Sequence, residues 1–167
     1  MLNYKNQKGM GLVEILVALL LLAIGVLGYV ALQYRAVEAT SEATYRAQGI
    51  NIARDLAERI RVNRSALNKY KTEISTAENQ KISQKNCSTS NCTSTELADF
   101  DVSQVAKNAD ALGMTINMMT CKGNNNGRNC IYVAWADTSA TDGDGVTDCT
   151  NGTSYNTAST CLIMEVY

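Results

Sequence analysis

The residues best suited to chemistry are six cysteines, and all of them lie in the C-terminal half of a chain of 167 residues. They are Cys87, Cys92, Cys121, Cys130, Cys149 and Cys161. An even number of cysteines confined to one region is typical of disulfides formed in an oxidising compartment. A four-thiolate zinc site needs two closely spaced pairs, whereas this chain has one such pair and no histidine. The pattern therefore favours disulfides over a metal site.

Six cysteines allow many connectivities, and the sequence ranks local pairs first. Cys121 and Cys130 flank a stretch rich in Gly and Asn that predicts a hairpin turn, so pairing of the strands brings them together. The same local scheme joins Cys87 to Cys92 and Cys149 to Cys161. Other pairings stay open at this stage.

Three aspartates, Asp142, Asp144 and Asp148, occur within seven residues. Clustered carboxylates suit a hard cation such as Ca²⁺. However, the spacing does not fit an EF-hand, because its first and fifth ligand positions cannot both be filled. Asp-Gly pairs are also ordinary turn chemistry. We therefore expect a weak calcium candidate at most, and no cofactor.

The composition argues against nucleic-acid binding and against catalysis. The formal net charge is -1, and the segment from Asp137 to the C-terminus has five acidic residues and no Lys or Arg. Phosphate recognition requires clustered basic side chains, so we expect no direct contact with nucleic acid. Without histidine, a nucleophile motif or a Gly-rich phosphate loop, we expect no enzymatic activity.

The element that must position the cysteine-rich region is an apolar N-terminal segment. The run from Ile15 to Leu32 contains no charged residue, and a helix of that length spans most of the hydrocarbon core of a bilayer. Lys5 and Lys8 precede it, which predicts a cytoplasmic N-terminus and an outer cysteine-rich region. The run is longer than the apolar part of a secretory signal peptide and lacks a clear small-residue cleavage motif at its end.

The helical pattern continues beyond this run, so we expect one helix over residues 10–63, roughly 80 Å long. Its second half is amphipathic, with charged residues opposite an apolar stripe at helical spacing. The stripe consists of Gly49, Ile52, Ala53, Leu56 and Ile60. A stripe of this kind must pack against another layer of the protein.

The remaining residues predict a second helix and a small antiparallel sheet. We interpret residues 71–90 as a loop, and Thr93 with Glu96 as a capping box that begins a helix ending at Gly113. Its apolar pattern is Leu97, Phe100, Val105 and Leu112. The predicted strands are 114–120, 129–136 and 162–167. The fold class is therefore α+β, with the long helix packed on the sheet.

The stretch from Lys8 to Glu14 resembles the type IV prepilin signature, in which Gly precedes an apolar first mature residue and Glu occupies the fifth mature position. Here Gly9 is the residue before the cut, Met10 the mature N-terminus and Glu14 the fifth-position acid. Met replaces the commoner Phe, which keeps the position apolar. The segment from Ala53 to Arg64 also resembles PilV-type minor pilins.

This resemblance implies a type IV pilin fold and a role as a minor pilin in pilus assembly, priming or tip formation, supporting motility and adhesion. It implies cleavage by prepilin peptidase, N-methylation of Met10, and pairing of the Met10 amine with Glu14 of a neighbouring subunit. The expected partners are other pilins, the inner membrane and the pilus assembly platform, with final localisation at the cell surface. A type II secretion pseudopilin and a pilus-borne adhesin remain alternatives.

The resulting division of the chain has four parts. They are a cleaved segment at 1–9, a transmembrane half-helix at 10–34, an amphipathic half-helix at 35–64, and a globular domain at 65–167 outside the cytoplasm.

Overall fold

The computed structural model describes residues 11–123 and 127–166. The helices in this part of the chain are α1 (Leu12–Val62), a short 3₁₀ helix (Arg64–Ala66), α2 (Leu67–Ser75) and α3 (Ser94–Ala111). The strands are β1 (Met114–Thr120), β2 (Asn129–Trp135), β3 (Ser139–Asp142), β4 (Asp148–Thr150) and β5 (Cys161–Val166). The chain divides into two compact units, of which the first ends at Ala43 and the second begins at Thr44.

Strands β1, β2 and β5 form an antiparallel sheet with β2 in the centre. The register places Ile116 opposite Val133 in the β1–β2 pair, and Val133 opposite Leu162 in the β2–β5 pair. Every residue of β2 is buried, because both faces of this central strand are covered. The predicted strands match those observed to within one residue at each end.

One face of the sheet packs against helices. The apolar stripe predicted in the second half of α1 is buried in the same core as Ile116, Val133 and Trp135. At Gly49 the helix lies close to the sheet, since a Cβ built there would lie 3.4 Å from the Trp135 ring. The packing of the amphipathic segment on the sheet is thus as the sequence predicts.

Helix α3 begins at the capping box, with the Thr93 side chain accepting from the Glu96 N–H and the Glu96 carboxylate accepting from the Thr93 N–H. The Thr93 N–H and hydroxyl both donate to the Glu96 carboxylate, and these hydrogen bonds, together with one from Lys85, lower the pKa of Glu96. The helix ends before Gly113, whose φ of 69° is in the left-handed region that favours glycine. The predicted capping box and the predicted end of the helix at Gly113 are both confirmed.

The structure corrects two details of the helical layer. Residues 71–75 belong to α2, so the predicted loop begins later, and Leu67, Tyr70 and Ile74 at helical spacing were the missed signal. In α3 the buried face differs from the expected one, because Phe100 is only half buried. The fully or nearly fully buried residues are Ala98, Asp99, Asp101, Val102, Ser103, Val105, Ala106 and Ala109.

The other face of the sheet is covered by a second, smaller core in which cysteines are prominent. Two disulfides belong to it: Cys121–Cys130 joins β1 to β2, and Cys149–Cys161 joins β4 to β5. The third, Cys87–Cys92, precedes α3. These are the local pairs that the sequence ranked first. Strands β3 and β4, which pair in parallel, had no sequence prediction.

Candidate membrane-anchoring and assembly segment

Glu14 lies in the first turn of α1 and is exposed. Its N–H donates to the Gly11 carbonyl at 2.9 Å, which helps to begin the helix. A carboxylate at this position interacts favourably with the partial positive charge of a helix N-terminus. Gly9 and Met10, the predicted processing residues, lie outside the described residues. Their roles, and that of Glu14 in assembly, stay predictions.

After Glu14, the helix presents an apolar surface on every side. Its large apolar side chains are exposed, from Ile15 at 45% to Leu32 at 73%. An 18-residue window of α1 is apolar and long enough to cross a membrane, and 0% of that window is buried. An uninterrupted apolar surface of this size is unfavourable in water. The segment therefore fits an anchor that lies in lipid or against apolar surfaces of other subunits.

Gly25 and Gly28 lie within this exposed helix without interrupting it. A Cβ built at either position meets nothing within 4 Å. Glycine costs about 1 kcal/mol relative to alanine in a helix interior. Contacts among the described residues therefore give no reason for glycine at these two positions.

The C-terminal end of α1 is joined to α2 and α3 by a partly buried polar cluster. Arg59 donates to Asp55 at 2.9 Å and to Asp101 of α3 at 2.7 Å. The Tyr70 hydroxyl of α2 donates to the other carboxylate oxygen of Asp101 at 2.5 Å. The Asn63 amide donates to the Ser94 carbonyl at 2.7 Å. This cluster fixes the end of the long helix on the helical layer.

The pKa values of two members of this cluster, Tyr70 and Arg59, are raised. Burial raises the pKa of Tyr70, and its hydrogen bond to Asp101 raises it further. For Arg59, burial acts to lower the pKa, but the hydrogen bonds to Asp55 and Asp101 outweigh it and the pKa is raised. Both groups therefore keep their protons over the physiological range.

The sequence did not predict this cluster. Asp55 and Arg59 lie one turn apart in the same helix, but Asp101 is 42 positions from Arg59 along the chain. No local sequence pattern indicates such a contact. A buried carboxylate nevertheless needs a partner, so Asp101 on the buried face of α3 was the available signal. On the exposed side of the same helix, Glu58 pairs with Arg61 at 3.1 Å.

The acidic loop is folded around one of its own carboxylates. Asp148 accepts hydrogen bonds from the Thr141 hydroxyl at 2.5 Å and from the Gly145 N–H at 2.9 Å. A Cβ at Gly143 would lie 2.5 Å from the Asp148 carboxylate, so any other residue there would displace this side chain. Asp142 points elsewhere and pairs with Lys122 at 3.3 Å.

Within the described parts of the chain, no group of three or more His, Cys, Asp or Glu side chains is placed to hold a metal ion. Asp142, Asp144 and Asp148 therefore do not converge as ligands of one cation, and Asp148 serves the turn. The expectation that calcium has little effect stays a prediction.

Comparisons with known proteins cover most of the N-terminal three-fifths of the chain. A family model described as the prokaryotic N-terminal methylation motif matches residues 4–30. A model described as type IV pilin Tt1218 matches residues 31–103, which include the second half of α1, α2 and most of the buried part of α3. No curated protein and no solved structure matches the chain significantly.

Proposed function

This chain belongs to the type IV pilin-like proteins, and from that premise we propose that it is a minor pilin of the type IV pilus. Pilins are structural proteins, and the methylation motif implies processing by prepilin peptidase and assembly with other pilins. The proposed role is in priming, assembly or the tip of the filament, supporting motility and adhesion. The segment from Ala53 to Arg64 supports a PilV-type subunit in particular.

The observation that carries this proposal is the exposed apolar helix with one acid at its start. The helix surface after Glu14 is unfavourable in water, so it needs lipid before assembly and neighbouring helices afterwards. A carboxylate inside hydrocarbon costs about 2.5–3.5 kcal/mol at a helix centre. A positively charged amine on an adjacent subunit offsets such a cost, and a processed Met10 supplies one.

We also propose a membrane topology for the subunit. Lys5 and Lys8 favour a cytoplasmic N-terminus. The disulfides require an oxidising compartment for the domain that follows. We place the subunit first in the bacterial inner membrane, where the assembly platform engages it, and then in the surface pilus.

Deleting the gene and counting surface pili tests the function. We expect fewer pili, restored by the wild-type gene. Normal pili together with a defect in protein secretion would instead assign the chain to type II secretion, and normal pili with loss of attachment alone would assign an adhesin.

Mass spectrometry of the mature protein tests processing separately. We expect cleavage between Gly9 and Met10 and a methylated Met10 amine. An intact Met1, or a cut after residue 30, would contradict processing as a pilin.

A further inference from the structure

The sheet formed by β1, β2 and β5 has two edges, and the outward groups of β5 follow from its pairing. The Trp135 N–H of β2 donates to the Thr160 carbonyl at 3.0 Å. Because the groups of successive residues alternate sides in a strand, Leu162 and Met164 point their backbone groups at β2. The backbone groups of Cys161, Ile163 and Glu165 therefore point away from the sheet.

Such an edge is a template on which another chain can add a strand. Strand β5 has the sequence Cys-Leu-Ile-Met-Glu-Val, which combines apolar residues of high strand propensity with a single charge. That charge, Glu165, is paired with Arg128. Left open, this edge would favour association between sheets of different molecules.

A side chain occupies the centre of this edge. The Ile163 N–H donates to the Tyr155 hydroxyl oxygen at 3.1 Å, and Ile163 is the middle one of the three residues that point outward. A backbone β-bridge to Thr150 holds Tyr155 in place. Thr150 directly follows Cys149, which forms a disulfide with Cys161 of β5. The Tyr155 hydroxyl thus accepts from a backbone N–H with which an added strand would otherwise pair.

The opposite edge, on β1, is occupied in a similar way. By the same alternation, Ile116 and Met118 point their backbone groups away from β2. The Ile116 carbonyl accepts from the Gln80 side-chain amide at 3.0 Å, and the Met118 N–H donates to the Asn117 side chain at 2.8 Å. Side chains therefore meet outward backbone groups near the middle of both edges.

We propose that the Tyr155 hydroxyl blocks strand addition at the β5 edge and so keeps the domain from associating edge to edge, while Gln80 and Asn117 do the same at β1. The β5 edge depends most on its blocker, because its strand is apolar and its single charge is neutralised.

Tyr155→Phe tests this in the full-length oxidised protein in detergent micelles, since it keeps the ring and removes the hydroxyl. We expect the Ile163 amide to exchange with solvent about five- to tenfold faster at low protein concentration, as for loss of one hydrogen bond. At high concentration, protection of the Cys161 and Glu165 amides should rise, together with the oligomeric mass. This protection is specific to strand addition at β5 and separates it from association through α1.

Ser154→Ala is the matched control, because it removes a hydroxyl of the same turn that contacts Asn151. It should leave both exchange and mass as in the wild type. Unchanged exchange at Ile163 in Tyr155→Phe would overturn the proposal. So would faster exchange without concentration-dependent protection at Cys161 and Glu165, because the hydroxyl would then bond the edge without guarding it.

Discussion

The proposed mechanism of assembly depends on a single side chain, that of Glu14. It is the last charged residue before the uncharged run from Ile15 to Leu32, and it is exposed on the first turn of α1. Its neighbours among the described residues of the helix are apolar, so none of them supplies a compensating charge. That makes its replacement a test of assembly and not of folding.

Glu14→Ala should reach the inner membrane and be processed, but fail to enter sheared pili. Insertion becomes easier without the acid, whereas under the proposed pairing a neighbour's Met10 amine would lose its partner. Breaking a buried charge pair costs about 3–5 kcal/mol, which lowers docking by roughly two to four orders of magnitude. Glu38→Ala is the control, because Glu38 is an exposed helix acid that pairs with Arg35 of the same helix. Recovery of Glu14→Ala in pili at wild-type levels would contradict charge pairing.

Tyr70 gives a second prediction at the residue scale, on stability at high pH. Its folded pKa lies above the ordinary value of about 10 because of burial and Asp101. Its stabilising effect is thus fully present below pH of about 10 and is lost as pH rises through the folded pKa. Tyr70→Phe should lower the free energy of unfolding by about 1–3 kcal/mol at pH 7, because Asp101 loses a buried donor, and should flatten the decline above pH 10.

Urea unfolding followed by Trp135 fluorescence between pH 7 and 11 measures both effects. Tyr45→Phe, which removes a hydroxyl from a part-exposed side chain, should leave neutral-pH stability within about 0.5 kcal/mol of the wild type. An alkaline decline that stays equally steep in Tyr70→Phe would show that Tyr70 is not its source.

At the scale of elements, no contact among the described residues explains the two glycines of the apolar helix. Alanine at Gly25 and Gly28 meets no atom within 4 Å and should stabilise the helix by about 1 kcal/mol per site. If this segment loosens when the subunit leaves the bilayer, the double variant Gly25→Ala/Gly28→Ala should insert normally yet enter pili less efficiently. Ala31→Gly is the comparison, because this nearby substitution should destabilise the helix. Equal incorporation of the alanine variant would exclude a need for local loosening.

The disulfides differ in what they hold together. Cys121–Cys130 and Cys149–Cys161 lie in the second core and join strands, whereas Cys87–Cys92 closes a loop of sequence separation 5. Replacing both cysteines of a core pair by serine should cost about 2–5 kcal/mol, and replacing the short-loop pair less. Unfolding midpoints of the three double variants measure this order, and a larger loss at Cys87–Cys92 would contradict it.

Elements with strong local signals were predictable, and those without were not. The capping box at Thr93, the left-handed Gly113 and strands β1 and β2 follow from local residue types and patterns. Helix α2 was missed because its polar composition masked a stripe of three apolar residues. Strands β3 and β4 are short and polar, and their parallel pairing depends on the layer beneath them, so no local pattern indicates them.

At the scale of the whole molecule, sequence reasoning identified the family through the processing signature and the uncharged helix. It could not supply the contacts among Arg59, Tyr70 and Asp101, because these residues come from three helices and only the packed core brings them together. The same holds for Tyr155, whose hydrogen bond to Ile163 depends on a turn that the sequence did not define.

The last prediction concerns the independence of the second compact unit, which begins at Thr44. This unit contains the core formed by the stripe of α1, α2, α3 and the sheet, and all three disulfides. The exposed apolar side chains from Leu12 to Val37 all precede it. A chain starting at Thr44, exported to the periplasm, should therefore fold as a soluble protein with native disulfides. Removing the apolar helix takes away exposed surface without opening the core.

Size-exclusion chromatography without detergent, peptide mapping and cooperative unfolding monitored at Trp135 measure this outcome. A chain starting at Leu56 is the contrasting variant, because it removes Gly49, Ile52 and Ala53 from the face that covers Val133 and Trp135. Loss of that stripe exposes the sheet, so this shorter chain should aggregate or unfold. If both chains behave alike, the second half of α1 is not an integral part of the domain. A Thr44 chain that requires detergent would show that residues before it complete the fold.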